Sequence, residues 1–389
     1  MGAEYLLYGY GLVCLSMLVF NLVYSLYLRG GDRRLTCRTD LISRRVSAQL
    51  ELLRQAPAGT SQPVQASHLA WMNRRLSRVK YLLAFDRCLD EQGEANLVFR
   101  DYLRQLQPVA LYLATVYLRR EATQAAYYCH FLARHQLQRY MEMEQLQQVM
   151  ISYLRRKDLY CRINALKALC GFGSPDALLE ALLELGKDED SQLHEKVITE
   201  ALLTYAGDAG VLIGRLWDCF DRFPLQIQRA VLDYIRFRSG DCDAPMEKIL
   251  RDPGRNKELR FAAIRYFARY PDPAVQEILL EFVQDRDPLR WEYAAISATA
   301  LARYPGQEVV DALLQAMHSP NWYVRYNASA SLEAHGLSYE QMLQVLAGDD
   351  RYAREMLYYR LEAKRLEEQA RAAGEGAGRP EGEEVAVPV

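Results

Sequence analysis

Residues 322–332 read WYVRYNASASL. Two large aromatics and a valine lead into Arg325, after which Ala328, Ser329, Ala330 and Ser331 thin the segment before Leu332. So many small residues make a poor ordinary core, and their regularity is foreign to a loop. A helix trimmed in this way admits a second helix close against it. If that neighbour is a copy of the same unit, the pattern must recur along the chain.

It does recur. With Arg325 as the reference, similar segments stand at Arg162 (RINALKAL), Glu195 (EKVITEAL), Arg229 (RAVLDYI), Arg260 (RFAAIRYF), Glu292 (EYAAISATAL) and Arg354 (REMLYYRL). Their spacings are 33, 34, 31, 32, 33 and 29 residues, and a steady period of about 20 to 50 marks a stacked repeat protein. Four residues before the reference stands a good helix N-cap in five copies: Asp158, Ser191, Asn256, Asn321 and Asp350. The Glu292 copy shifts by one, with Asp287 followed by Pro288 as cap and first-turn proline. Breakers follow each such helix, among them Pro271-Asp-Pro273 and Pro305-Gly306, and then a second apolar segment such as AVQEILLEFV or VVDALLQAM. Each unit is therefore a helix, a turn and a helix of roughly 32 residues.

This grammar resembles the HEAT family, and its short phycobilisome-lyase-like subclass in particular, over residues 158 to 365. The resemblance implies an all-α, right-handed α-solenoid of about seven helical hairpins, with RFAAIRYF, EYAAISATAL and RYNASASL on the helices that line its concave side. Each unit would bury its apolar face only against its neighbours.

Composition fits this class. Lysine plus arginine is 48 against 50 acidic residues, a net charge of −2, whereas a nucleic-acid binder carries a strongly basic footprint; no nucleic acid is expected. Alternating strand patterns with Asn-Gly or Asp-Gly turns are missing from the sequence. The eight cysteines include no CxxC pair and most fall at apolar helix positions, which reads as reduced, buried thiols.

The N-terminus carries a different signal. Residues 5–28, opening at Tyr5 and closing at Leu28, hold no charge. As a helix they would rise about 36 Å, enough for a hydrocarbon core of ~30 Å, with Tyr5, Tyr8 and Tyr10 at one interface and Tyr24 and Tyr27 at the other. A cleaved signal peptide needs basic residues before its apolar core, and only Glu4 is charged there. Arg29, Arg33, Arg34 and Arg38 follow directly, with Arg44 and Arg45 beyond. The expectation is a single-pass anchor in the plasma (cytoplasmic) membrane, N-terminus outside and bulk in the cytoplasm, with these arginines as a membrane-proximal basic flank.

The expected organisation is an anchor and flank over 1–31, a helical region over 32–155, the repeats over 156–366 and an acidic tail over 367–389. The second region reads as capping hairpins or a degenerate tetratricopeptide unit; the tail, rich in Glu, Gly, Ala and Pro, reads as disordered.

Catalytic signatures are lacking. His130 and His135 are five apart and not the four of a zinc helix, and no phosphate loop or GxSxG stands in the chain. No catalytic residue, cofactor or metal ligand is assigned. Asn327-Ala-Ser329 matches a glycosylation sequon inside a helix. What remains is surface. One position after the reference, successive units carry Phe261, Tyr293 and Tyr326, an aromatic ladder on the concave face or, equally, packing between units. Trp291 lies close by, and Arg265 and Arg325 would supply a polar rim, since aromatics and arginine dominate binding hot spots. The functional expectation is a membrane-anchored cytoplasmic scaffold or adaptor that binds a protein partner, itself membrane-associated, on its concave face. The resemblance adds two alternatives: an accessory subunit of a bacterial membrane glycosyltransferase or other envelope complex, and a lyase-like enzyme acting on a protein-bound cofactor.

Overall fold

The computed structural model describes residues 2–55, 62–92, 97–187, 192–345 and 350–374. They are helical, with no strand among the described residues. The first unit, Met1–Arg222, holds α1 (Gly2–Arg54), α2 (Ala66–Leu76), α3 (Val79–Gln92), α4 (Leu97–Gln105), α5 (Gln107–Leu118), α6 (Ala122–Arg134), α7 (Glu144–Tyr153), α8 (Leu159–Phe172), α9 (Pro175–Leu185), α10 (Glu195–Leu203) and α11 (Ala209–Asp218). The second, Phe223–Val389, holds α12 (Leu225–Arg238), α13 (Asp243–Arg251), α14 (Lys257–Arg269), α15 (Gln276–Gln284), α16 (Trp291–Leu301), α17 (Gln307–Ala316), α18 (Trp322–Ala334), α19 (Tyr339–Val345) and α20 (Arg351–Gly374).

Stacked hairpins place each helix against the one two along the chain, and both units do this. In the first, α5, α7, α9 and α11 form one row and α6, α8 and α10 another. In the second, α12, α14, α16, α18 and α20 form one row, with α13, α15, α17 and α19 each lying against the first helix of the following hairpin. Capping explains where these helices begin. Asn256 Oδ1 accepts from the Glu258 amide at 2.9 Å, Asn321 Oδ1 from Tyr323 at 2.8 Å, Asp287 Oδ1 from Leu289 at 2.9 Å and Asp350 Oδ1 from Ala353 at 3.1 Å; each satisfies a first-turn amide that has no partner in its own helix. Asp158 caps α8 by position without a side-chain bond, and His194 caps α10. Ser191 lies outside the described residues.

The seam between α16 and α18 accounts for WYVRYNASASL. Ala295 and Ala298 of α16 and Ala328, Ser329 and Ser331 of α18 are buried. With so little side chain between them the helices come close enough for Asn327 Nδ2 to donate to Ala295 O at 2.9 Å, Ser331 Oγ to Ala298 O at 2.6 Å and His335 Nε2 to Leu301 O at 3.0 Å. Helix carbonyls keep a spare lone pair, so these bonds join neighbouring repeats without breaking either ladder.

The N-terminal expectation is corrected. Among the described residues no helix is long and apolar enough to cross a membrane. The charge-free run of residues 5–28 is the first part of α1. The same helix then continues through charged turns to Arg54. There its buried Ile42, Val46, Leu50 and Leu53 recur at helical spacing, on a helix that packs against α3. The single-pass placement at the plasma membrane, N-terminus outside, falls with the span. So does the basic flank as a topology signal: Arg33 and Arg34 are exposed, Arg38 lies over the Tyr81 ring at 5.8 Å, and the side chain of Arg29 is outside the described set. Arg45, further on, lies over Trp71 at 5.9 Å. At the other end, α20 runs on to Gly374, into the expected tail, and residues 375–389 are outside the described residues.

Candidate functional site

Two of the reference arginines, Arg260 and Arg325, are structural. Arg260 is buried and its Nε donates to Leu250 O at 2.9 Å, at the end of α13. Arg325, also buried, donates from Nη1 to Ser319 O at 2.7 Å and Pro320 O at 3.0 Å, just beyond α17. A cation on carbonyls left unpaired at a helix C-terminus is favourable in both charge and hydrogen bonding. Arg325 is thus committed to its own backbone and supplies no rim.

The aromatic register divides. Phe261 and Tyr293 are buried edge to face, centroids 4.7 Å apart, with Phe282 at 5.0 Å from Tyr293. The Arg260 guanidinium lies over Phe282 and Tyr293 at 5.2 and 5.0 Å. This half of the ladder packs between repeats, and among the described ring contacts none joins Tyr293 to Tyr326. Tyr326 belongs to a second cluster. Trp322 stacks on it at 4.9 Å and meets Tyr359 edge-on at 5.8 Å and Tyr323 at 5.2 Å, while Tyr323 stacks on Trp291 at 5.5 Å. Trp322 is 41% exposed and Tyr359 53%. Arg360 holds Tyr326 from beneath, its Nη1 3.2 Å from the hydroxyl and its Nη2 2.9 Å from Glu333. The cluster thus spans α16, α18 and α20 with two large rings open to solvent.

Trp291 also walls a cavity of about 560 Å³. Val283, Pro288, Ala294, Ala316 and Val324 give it an apolar floor, and Asp285, Arg286 and His318 a polar rim. Arg290 pairs with Asp285 at 2.8 Å, and His318 Nδ1 with Asp350 at 2.5 Å. The His318 bond holds the Asp350 carboxyl below its usual range, helped by the Ala353 amide. The remaining predicted residue, Arg265, is half-buried on α14.

One group in the first unit has metal-ligand composition: Asp86, Asp90 and His135. Its charge is already answered. Arg134 reaches Asp86 at 3.3 Å and Asp90 at 2.8 Å, and Asp86 also accepts from Tyr127 at 2.6 Å and from His135. Burial pushes the Asp86 carboxyl up, but the His135 and Tyr127 bonds and the charges of His135 and Arg134 bring it below the ordinary value. A resident guanidinium between the two carboxylates makes this an internal ion network.

Sequence reasoning missed Tyr359, Trp322 as the centre of the cluster, and the part tyrosine plays elsewhere. The chain has 26 tyrosines. Several are buried, with hydroxyls on carbonyls of other helices, as Tyr117 on Leu76 O at 2.7 Å and Tyr205 on Gly173 O at 2.9 Å. No protein-family model matches the chain, and no curated protein matches it.

Proposed function

We propose that the chain is a HEAT-like repeat scaffold that captures a protein partner on the side formed by its first helices α14, α16, α18 and α20. The observation that carries this reading is the exposed, mutually stacked cluster of Trp322, Tyr326 and Tyr359, continuous through Tyr323 and Trp291 with a cavity of about 560 Å³. Rigid aromatic anchors beside a concavity are what a binding hot spot requires. Period, caps and the two-along packing support the HEAT-like part. Of the expected ladder of Phe261, Tyr293 and Tyr326, the first two are buried, which favours the α18–α20 end as the contact surface.

Photo-crosslinking tests it. The full chain carries p-benzoylphenylalanine in place of Tyr359 or, as control, of Tyr160, which is 77% exposed in the first unit. The expected result is one discrete adduct from position 359 in native cells, reduced at least about tenfold by Trp322→Ala, the scale of one lost hot spot. Equal adducts from both positions, or none at 359, would remove the cluster as a docking surface.

A further inference from the structure

The row of first helices also carries an excess of arginine. On α12 and α14, Arg229 pairs with Glu258 at 3.5 Å and Arg236 with Asp233 at 3.2 Å. Arg265 stands within range of all four, yet no acceptor among the described residues hydrogen-bonds its guanidinium, although the side chain is half-buried. Arg269, one turn further along α14, is exposed and lies over the Phe237 ring at 5.6 Å, the ring that Arg236 also covers at 4.4 Å. Among the described ion pairs these two carboxylates answer Arg229 and Arg236, and none answers Arg265 or Arg269. From α16, exposed Arg303 reaches across to the Arg269 carbonyl at 2.9 Å and extends the positive strip to a third helix.

We infer that this strip receives the carboxylates of an acidic polypeptide segment, with Arg265 as its bidentate contact. The inference rests on the proposed scaffold reading and names the chemistry of its partner. A planar guanidinium with a free fork is suited to carboxylate, and one already stripped of part of its water gives up less when an anion arrives. Burial and the charges of Arg236 and Arg229 push Arg265 below the usual arginine range against the pull of Asp233 and Glu258, as a site short of negative charge should. Phosphate would satisfy the same fork. The chain carries a net charge of −2, whereas a nucleic-acid groove belongs to a strongly basic surface.

The test uses the full chain and three fluorescein-labelled probes: a glutamate-rich peptide, its glutamine counterpart and oligothymidylate. The glutamate peptide should bind, the glutamine peptide should not, and added salt should weaken the complex. Arg265→Ala with Arg236→Ala should cost at least about tenfold in Kd. Arg265→Lys, which keeps the charge and the fold but loses the fork, should cost part of that. Absence of glutamate-peptide binding, or equal Kd for wild type and Arg265→Lys, overturns the inference. So does oligothymidylate bound more tightly than the glutamate peptide through the same arginines. Trp322→Ala should leave glutamate-peptide binding unchanged. Failure here with a discrete adduct at position 359 therefore removes only the acidic partner, and the converse result removes only the aromatic anchor.

Discussion

The α5–α7 seam of the first unit and the α16–α18 seam of the second solve one problem with side chains of different length. In both, a polar group on the later helix reaches a carbonyl of the earlier one. In the first unit the reach is a whole tyrosine: Tyr153 donates to Ala114 O, and Tyr128, from α6, to Ala110 O. In the second it is Asn327 and Ser331. A ring needs room, so the first seam is upholstered with aromatic surface, Tyr117 stacking on Tyr128 at 5.0 Å. The short side chains of the second let α16 and α18 close on a bed of alanine and serine. The two seams keep the acceptor constant and differ in the length of the group that serves its spare lone pair.

The largest effect should come from the filled part of the second unit. Tyr293→Ala removes a buried ring from between Phe261, Phe282 and the Arg260 guanidinium, and should destabilise by about 3–5 kcal/mol, as large-to-alanine core changes do. Hydrogen exchange should show the loss in α14–α16. An adduct at position 359 should survive at temperatures where the variant is folded. If Tyr293→Ala instead leaves exchange unchanged and abolishes the adduct, the division between packing ring and surface ring is wrong.

A second effect is confined to the first unit and to acid. His68 is buried on α2 against the Tyr102 hydroxyl at 2.9 Å. Burial, with the charge of Arg45, lowers its pKa from 6.5 to about 4. The folded chain therefore keeps His68 neutral where the unfolded chain takes up a proton. Stability should fall as pH drops from 6.5 towards 4 by up to about 1.4 kcal/mol per pH unit, and this contribution should level off below 4. His68→Gln should flatten that slope for the amides of α2, while those of α18 show no such term in either chain. Equal slopes in variant and wild type would mean that the histidine titrates normally.

The sequence made the repeat legible because caps and small residues act locally. Asn256, Asn321 and Asp350 bond amides two or three residues on, and alanine and serine record a close neighbour wherever that neighbour comes from. The candidate site was legible only in part, because exposure depends on the neighbouring repeat. Phe261, Tyr293 and Tyr326 share one register position, yet the first two are covered and the third joins an open cluster. Arg325 looked like a rim residue because its acceptors, Ser319 O and Pro320 O, are backbone atoms that carry no side-chain signature. The N-terminal run misled for a related reason: hydropathy reports an apolar segment without reporting the protein-packed turns that continue the same helix, where Ile42 and Val46 are buried.

The smallest effects test the difference between the seams directly. Tyr153→Phe and Ser331→Ala each delete one hydroxyl from a bond to a helix carbonyl. Each change should cost the net value of one hydrogen bond, about 0.5–1.5 kcal/mol. Lengthening should separate the seams. Ser331→Leu must fit a larger side chain where Ala298 and Ser331 are both buried, and overpacking of that kind costs about 1–3 kcal/mol. Urea titrations followed by hydrogen exchange in α7 and α18 would measure all three. If Ser331→Leu is tolerated as easily as Ser331→Ala, the closeness of α16 and α18 owes nothing to their small residues, and side-chain length does not set the spacing of the stack.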